Sequence, residues 1–308
     1  MKTLQILMST YNGAKYIREQ MDSLLDQNCE KLGKAAFRIV IRDDGSSDGT
    51  QDILEEYAGR YPEKVSWYQG ENHGVICSFF ELLQRVDASD YYAFCDQDDY
   101  WMEDKMTRAV EILDAMRKDV PVLYCCRPKL VDQNLQPLES EIKRPPMRPG
   151  FRNAMIENIV TGCTAVFDQS LREVVVKELP QFTVMHDWWL YLIATCFGEI
   201  YYDETPYICY RQHQGNVLGT KTRKMDEWKM RLKRFRGNRG NISHQLEEFI
   251  RIFGDMGAEN ENMRLAERFL KVRKSFWARK RFLRDTELYR QRREDDRIFH
   301  IILLLGNY

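Results

Sequence analysis

The sequence predicts an α/β fold: a mostly parallel sheet flanked by helices on both faces, followed by a basic helical appendage. Short β-rich runs alternate with helix-period apolar stripes from Leu4 to Leu113. Polar clusters stand at the ends of those runs, and the charge balance changes sign near residue 220. A βαβα order of this kind calls for parallel strands buried on both faces.

The elements follow in turn. Leu4–Ser9 reads as the first strand, Tyr11-Asn12-Gly13 as its turn, and Ile17, Met21, Leu24 and Leu25 as the buried face of a helix. Phe37–Arg42 is the second strand. Asp48 is placed to cap the next helix, which carries Ile53, Leu54, Tyr57 and Ala58. Val65–Gln69 is the third strand, with a turn at Asn72-His73-Gly74 and a core stripe of Ile76, Phe79, Phe80 and Leu83. Tyr91–Cys95 is the fourth strand, and Met106, Val110 and Leu113 mark the helix after it. Val122–Arg127 continues the pattern. Pro145-Pro146 and Pro149-Gly150 then mark an irregular connection, ahead of strands at Thr164–Phe167 and Ile200–Asp203 and a helix from Asp187 to Phe197. A boundary near 220 separates residues 1–220, the sheet domain, from 221–308, a region of charged helices.

The net charge of −1 over 308 residues hides an asymmetry: Lys221 to Glu294 holds 22 Lys and Arg against 11 Asp and Glu. The eight cysteines form no CxxC pair, and the N-terminus has no secretory pattern, so buried free thiols and a cytoplasmic chain are expected. The apolar run Ile298–Leu305 is too short to span a bilayer. Neither GxGxxG nor GxxxxGK[ST] occurs, so the dinucleotide and P-loop readings lack their glycines.

Ser9-Thr10-Tyr11-Asn12-Gly13, Asp43-Asp44-Gly45-Ser46 and Asp96-Gln97-Asp98-Asp99 all fall at strand ends, where ligands of open α/β sheets bind. In the third cluster the carboxylates repel one another unless a cation shares them, and Mg²⁺ or Mn²⁺ takes such ligands together with substrate phosphates. A solvated loop capping the next helix is the competing reading. Asp43-Asp44-Gly45-Ser46 suits a tight turn as well as a contact to a base or ribose.

Together with Asn72-His73-Gly74, these clusters resemble, in order and spacing, the successive motifs of family-two glycosyltransferases with the GT-A fold, over residues 1 to 215. The resemblance implies an inverting, metal-dependent transfer from a nucleotide-diphosphate sugar. It implies that Asp43 and Asp44 contact base and ribose, that Ser9, Thr10 and Asn12 contact the nucleotide, and that Asp96, with Gln97 beside it, reaches ribose or diphosphate. It makes Asp98 a ligand of Mg²⁺ or Mn²⁺.

His186-Asp187-Trp188-Trp189 supplies the remaining chemistry. An attacking hydroxyl needs a base, and a carboxylate at a helix start walled by two tryptophans suits that task. The family carries Glu-Asp here; with His186 in the first place, Asp187 is the base, and Trp188 and Trp189 are candidates to stack on acceptor sugar. After the last strand, Arg211 is placed to neutralise a departing diphosphate, and His213 to do the same or complete the metal shell. A plain surface loop is the alternative there.

The motif combination resembles the rhamnosyltransferase branch, which implies dTDP-rhamnose as donor and a lipid-linked or saccharide acceptor in bacterial cell-surface polysaccharide synthesis. UDP-glucose, UDP-galactose and UDP-N-acetylglucosamine remain open. A sugar-phosphate nucleotidyltransferase should carry a glycine-rich basic first loop, which Ser9–Gly13 is not. Nucleic-acid binding is not expected, because the tail's aromatics are spaced like helix cores. The basic tail is expected to meet an anionic inner membrane face or a second subunit.

Overall fold

The computed structural model describes residues 1–138, 146–212, 240–257, 259–306 and 308. The first half alternates as the sequence predicts: β1 (Lys2–Thr10), α1 (Ile17–Leu25), β2 (Ala35–Asp43), α2 (Thr50–Arg60), β3 (Val65–Gln69), α3 (Val75–Arg85), β4 (Tyr91–Asp96), β5 (Tyr100–Trp101) and α4 (Lys105–Ala115). Then come β6 (Val122–Cys126), β7 (Lys129–Val131), α5 (Phe151–Ala154), β8 (Val166–Asp168), α6 (Gln169–Lys177), α7 (His186–Phe197), β9 (Glu199–Asp203) and β10 (Ile208–Arg211). Among the described residues, four further helices follow: α8 (Asn241–Phe253), α9 (Glu261–Lys271), α10 (Phe276–Asp285) and α11 (Arg293–Leu305). His213 and the proposed boundary near 220 lie outside the described residues.

Seven strands form one sheet in the order β3-β2-β1-β4-β8-β6-β9. All neighbours run parallel except β8, which is antiparallel to both β4 and β6. The three short strands β5-β10-β7 make a second sheet beside the end of β4. Asp48 does accept the Thr50 N–H (3.1 Å), but Gly49 at φ 90° is the residue that enters α2. The Asp48 carboxylate is shared with the Ala14 N–H (3.0 Å) and so ties the first two loops together.

Period-two alternation divides the core. Ile6 and Met8 of β1 face a layer with Met21, Ile39, Leu54, Met106 and Leu113. Leu7 faces the other layer, where Phe79, Phe94, Phe167, Trp189 and Leu192 pack. Leu246, Phe249, Phe253, Met263, Phe269, Phe282, Phe299 and Leu303, from the four C-terminal helices, belong to that same second layer. Burying their apolar stripes there is what holds these highly charged helices in place.

Candidate active site

Register brings the three polar clusters to one edge. Thr10 pairs with Asp43 across β1 and β2, and Ser9 pairs with Asp96 across β1 and β4. The loops beyond are laced together: the Asn12 N–H donates to Ser46 Oγ (2.8 Å), the Ser47 N–H to Asn12 Oδ1 (2.9 Å) and the Gly13 N–H to Thr50 Oγ1 (2.9 Å). Asn12 takes a left-handed φ of 49° to make these bonds. The Gln97 amide spans the first and third loops, accepting from the Tyr11 N–H (2.9 Å) and donating to the Tyr11 carbonyl (3.0 Å). A Cβ on Gly13 would lie 2.1 Å from Gln97 Oε1, so only glycine allows this close approach.

Several side chains expected to touch the nucleotide make bonds within the protein. The Asp43 carboxylate is fully buried and accepts from Thr10 Oγ1 (2.8 Å), Ser46 Oγ (2.5 Å), Ser46 N (2.8 Å) and Gln51 Nε2 (2.8 Å). Asp44 accepts from the His73 and Gly74 N–H groups (3.1 and 2.9 Å) and is paired with buried Arg42. Both carboxylates shape the rim through these bonds. Thr10 is buried against Asp43, and Ser9 donates to Ser78 Oγ (2.7 Å). Tyr11, quoted in the motif but given no role from the sequence, stands 50% exposed at the lip.

Arg211 is likewise enclosed by the protein. It is 1% exposed, and its Nε donates to the Asp98 carbonyl (2.7 Å). Its remaining guanidinium nitrogens bind the Gln133 carbonyl and Glu19, its plane lies over Tyr16, and its backbone N–H donates to Asp99 Oδ1 (3.0 Å). A guanidinium engaged in this way holds the acid loop from behind and has no fork left for a diphosphate.

Within the acid loop, Asp96 and Asp98 remain partly exposed while Asp99 is buried. Burial, and then the neighbouring Asp98 and Asp187 carboxylates, raise the Asp96 pKa above the usual carboxylate range. Asp99 is raised too, by burial and then by Asp96 and Asp98. Such mutual repulsion is what a divalent cation relieves. Asp96, Asp99 and Cys163 bring one ligand atom each within 4.8 Å of one another. A thiol is a poor partner for Mg²⁺ or Mn²⁺, while Asp99 accepts the Arg211 N–H at Oδ1 and has no hydrogen-bond partner among the described residues at its buried Oδ2. Asp96 and Asp98, partly exposed oxygen donors, are of the ligand type a hard cation takes.

Asp187 sits in the first turn of α7, 6% exposed. It accepts from Asn158 Nδ2 (2.9 Å) and from the Trp188 N–H (2.7 Å), yet burial pushes its pKa up to about 7. The extended approach to α7 is held by Gln245 of α8, whose Oε1 accepts from Val184 N (2.8 Å) and Thr183 Oγ1 (2.9 Å). The two tryptophans part company. Trp188 is partly exposed and donates from Nε1 to the Ala154 carbonyl (2.6 Å). Trp189, one residue on and about 100° around the helix, is fully buried edge-on to Phe249 (5.6 Å between centroids). It sits in the core, while Trp188 keeps part of its surface open. Asn158, Gly162 and Arg42 have structural parts here that no spacing rule in the sequence signals.

A parallel sheet whose strand ends gather acids, facing a carboxylate at a helix start, defines a GT-A transferase of sugar residues. The glycosyl transferase family 2 model matches residues 5–177, and the chain belongs to that family as a glycosyltransferase. It is 30% identical over 229 residues to the dTDP-rhamnosyl transferase RfbG of Shigella flexneri, covering 69% of this chain and 73% of that one. Among solved structures it resembles Staphylococcus aureus TarS 1-349 in complex with UDP-GlcNAc, at TM-score 0.52 and 18% identity over 90% of this chain and 81% of that one. It also resembles the mannosyltransferase PcManGT of Pyrobaculum calidifontis in complex with GDP-Man and Mn²⁺, at TM-score 0.53 and 17% identity over 98% and 85%. At those identities the structural likeness establishes the fold alone. Among the described residues no helix is long and apolar enough to cross a membrane.

Proposed function

We propose that the protein transfers rhamnose from dTDP-rhamnose, with inversion, to a hydroxyl of a lipid-linked or saccharide acceptor in bacterial cell-surface polysaccharide synthesis. The observation that carries the chemistry is the buried Asp187 carboxylate at the start of α7, electrostatically coupled to Asp96 of the acid loop. The acceptor hydroxyl attacks the anomeric carbon as Asp187 takes its proton. The bond from that carbon to the diphosphate oxygen breaks, and the nucleoside diphosphate leaves with the electron pair. Asp96 and Asp98 would hold Mg²⁺ or Mn²⁺, which when bound neutralises charge on the diphosphate. Tyr11 offers an aromatic face to the base, Asn12 and the backbone of the first loop line the nucleotide, and Trp188 lies on the acceptor side.

The donor assignment is supported by the identity to the Shigella flexneri enzyme. A direct test is turnover with dTDP-rhamnose, UDP-glucose, UDP-galactose and UDP-N-acetylglucosamine, each with Mn²⁺. Transfer or hydrolysis of a UDP-sugar with none of dTDP-rhamnose would overturn the rhamnosyl reading and leave the catalytic roles standing.

We take residues 1–220 as the catalytic domain and 221–308 as a basic region that meets the cytoplasmic, anionic face of the inner membrane. Lys271–Arg284 holds seven Lys and Arg with no Asp or Glu. Phe276 and Trp277 of α10 are exposed, as are Ile301 and Leu305 of α11. Arg279, donating to the Leu304 carbonyl (3.0 Å), keeps both helices at one corner of the molecule. Basic and aromatic residues together suit a lipid interface, each cation adding about 1 kcal/mol near an anionic surface. Co-sedimentation with anionic but not neutral vesicles, weakened by salt, is the expected result. A protein left in the supernatant at low salt would make the region a packing or subunit-contact element.

A further inference from the structure

α7 carries Asp187 in its first turn but does not fix its own start. Met185 occupies the N-cap position, where its side chain makes no capping bond, and its backbone is extended (φ −154°, ψ 149°). The donors just ahead of it are met from outside. Gln245 of α8 is fully buried, and its Oε1 takes the Val184 N–H (2.8 Å) and the Thr183 hydroxyl (2.9 Å). That hydroxyl also lies 3.1 Å from the Met185 carbonyl. Gln245 Nε2 has no hydrogen-bond partner among the described residues, so the amide serves this segment alone.

The same face of α8 continues the match. Glu248, one turn on, accepts the Gln181 N–H (2.6 Å), and Arg251 pairs with both Glu248 and Glu178. At the far end of α7, Asn260 and Asn262 donate from Nδ2 to the Cys196 and Thr195 carbonyls (2.9 and 3.2 Å), which a last helical turn leaves open. The helix that carries Asp187 is therefore gripped at both ends by the C-terminal helices. Only three residues separate Val184 from Asp187. Without an acceptor for its N–H, that stretch would have to move to find one. A shift of about 1 Å in a reacting group costs on the order of 10²-fold in rate.

We propose that Gln245 is a positioning residue for the transfer: by fixing Thr183 and Val184 it sets where the first turn of α7 begins, and hence where the Asp187 carboxylate stands. α8 is on this account part of the catalytic machinery and not an appendage to it. The proposal rests on the reading of Asp187 as the base.

The test is a set of point variants, because removing the whole tail would also take the Gln291 N–H from Glu157, the neighbour of Asn158. Gln245→Leu keeps much of the side-chain volume and removes the acceptor. Gln245→Asn, which draws the same amide back by one methylene, replaces it if the first folds poorly. Gln245→Glu is the rescue, since a carboxylate returns an oxygen to the same point. Turnover of dTDP-rhamnose, or of whichever of UDP-glucose, UDP-galactose and UDP-N-acetylglucosamine the parent uses, is measured with Mn²⁺ where every variant is folded. Dissociation constants for that sugar nucleotide and thermal midpoints are measured alongside. Gln245→Leu should lower kcat roughly 10–100-fold with the donor dissociation constant unchanged, and Gln245→Glu should recover most of the loss. Added to Asp187→Asn, Gln245→Leu should cost little more, because both changes act through one group.

A lowered midpoint with kcat unchanged would overturn the proposal and leave Gln245 a structural residue. Losses that multiply in full in the double variant would overturn it too, as would a Gln245→Glu variant no better than Gln245→Leu. In each of these cases an inactive Asp187→Asn would leave the base in place. An Asp187→Asn variant with its kcat intact would instead sink the reading of the base, and the proposal with it.

Discussion

Replacing Asp187 with Asn tests the base most directly, because the change is nearly isosteric yet removes proton affinity. The carboxylate now accepts from Asn158 Nδ2 and the Trp188 N–H at 2.9 and 2.7 Å. Both bonds fall on Oδ1, so an Asn oxygen in its place can keep them, and no charge is then buried. The thermal midpoint should therefore move little. Catalysis should fall by roughly 10²–10⁴ in kcat, the usual worth of a positioned base. The pH profile supplies a second magnitude. With its pKa pushed up to about 7, only half of the Asp187 side chains are in the base form at that pH. About a tenth are at pH 6, so kcat should rise about fivefold from pH 6 to 7 and about twofold more before it levels above pH 8. The stability effect has the opposite slope. The folded protein holds this proton more tightly than the unfolded chain does, so the contribution of Asp187 to stability is complete below the ordinary carboxylate range and is lost as pH rises to about 7. Steady-state kinetics from pH 5 to 9 on both proteins, with thermal melts alongside, make the comparison. A variant that keeps its kcat while donor affinity collapses would refute the reasoning, as would an acidic limb that survives the substitution.

Three further predictions follow from the site. Asp98→Asn should abolish Mn²⁺-enhanced donor binding and cut turnover by roughly 10²-fold or more, with an unchanged circular dichroism spectrum; full activity of the parent in EDTA would contradict it. Arg211→Met strips bonds from the Asp98 and Gln133 carbonyls and should cost about 2–5 kcal/mol, read by urea unfolding, together with weaker Mn²⁺ binding read by electron paramagnetic resonance. Trp189→Ala should cost about 3–5 kcal/mol as a core truncation while leaving the acceptor KM unchanged, whereas Trp188→Ala should raise that KM at little cost in stability.

Much of this architecture is legible in sequence because the first half obeys two clean periods. Strands of alternating or continuous apolar character give way to stripes at helical spacing, and polar clusters fall where each strand ends. That pattern alone places Ser9, Asp43 and Asp96 at one edge. What the sequence hides is the direction each side chain takes. Asp43 and Asp44 look like free acceptors in a polar loop, yet their partners (Thr10, Ser46, Gln51, His73 and Gly74) arrive from separate segments. α7 is buried nearly all round, so no polar face distinguishes Trp188 from Trp189. The two-residue β5 and three-residue β7 carry too few residues for any period to register, which is why the small sheet that positions Arg211 is not foreseen. The antiparallel course of β8 is likewise set by its neighbours β4 and β6 rather than by its own three residues.

The bond pair between the Gln97 amide and the Tyr11 backbone imitates one rung of a β-ladder, built from a side chain between two loops that belong to different strands. Its consequence concerns redesign. The nucleotide-facing first loop and the acid loop are not separable modules: a graft of residues 9–13 from another transferase would carry a new conformation at 11, and any residue but glycine at 13 would strike the amide across the way. Attempts to alter base preference should therefore exchange positions 11, 13 and 97 as one block, and a library that randomises the first loop alone should return mostly proteins in which the acid loop has lost its footing.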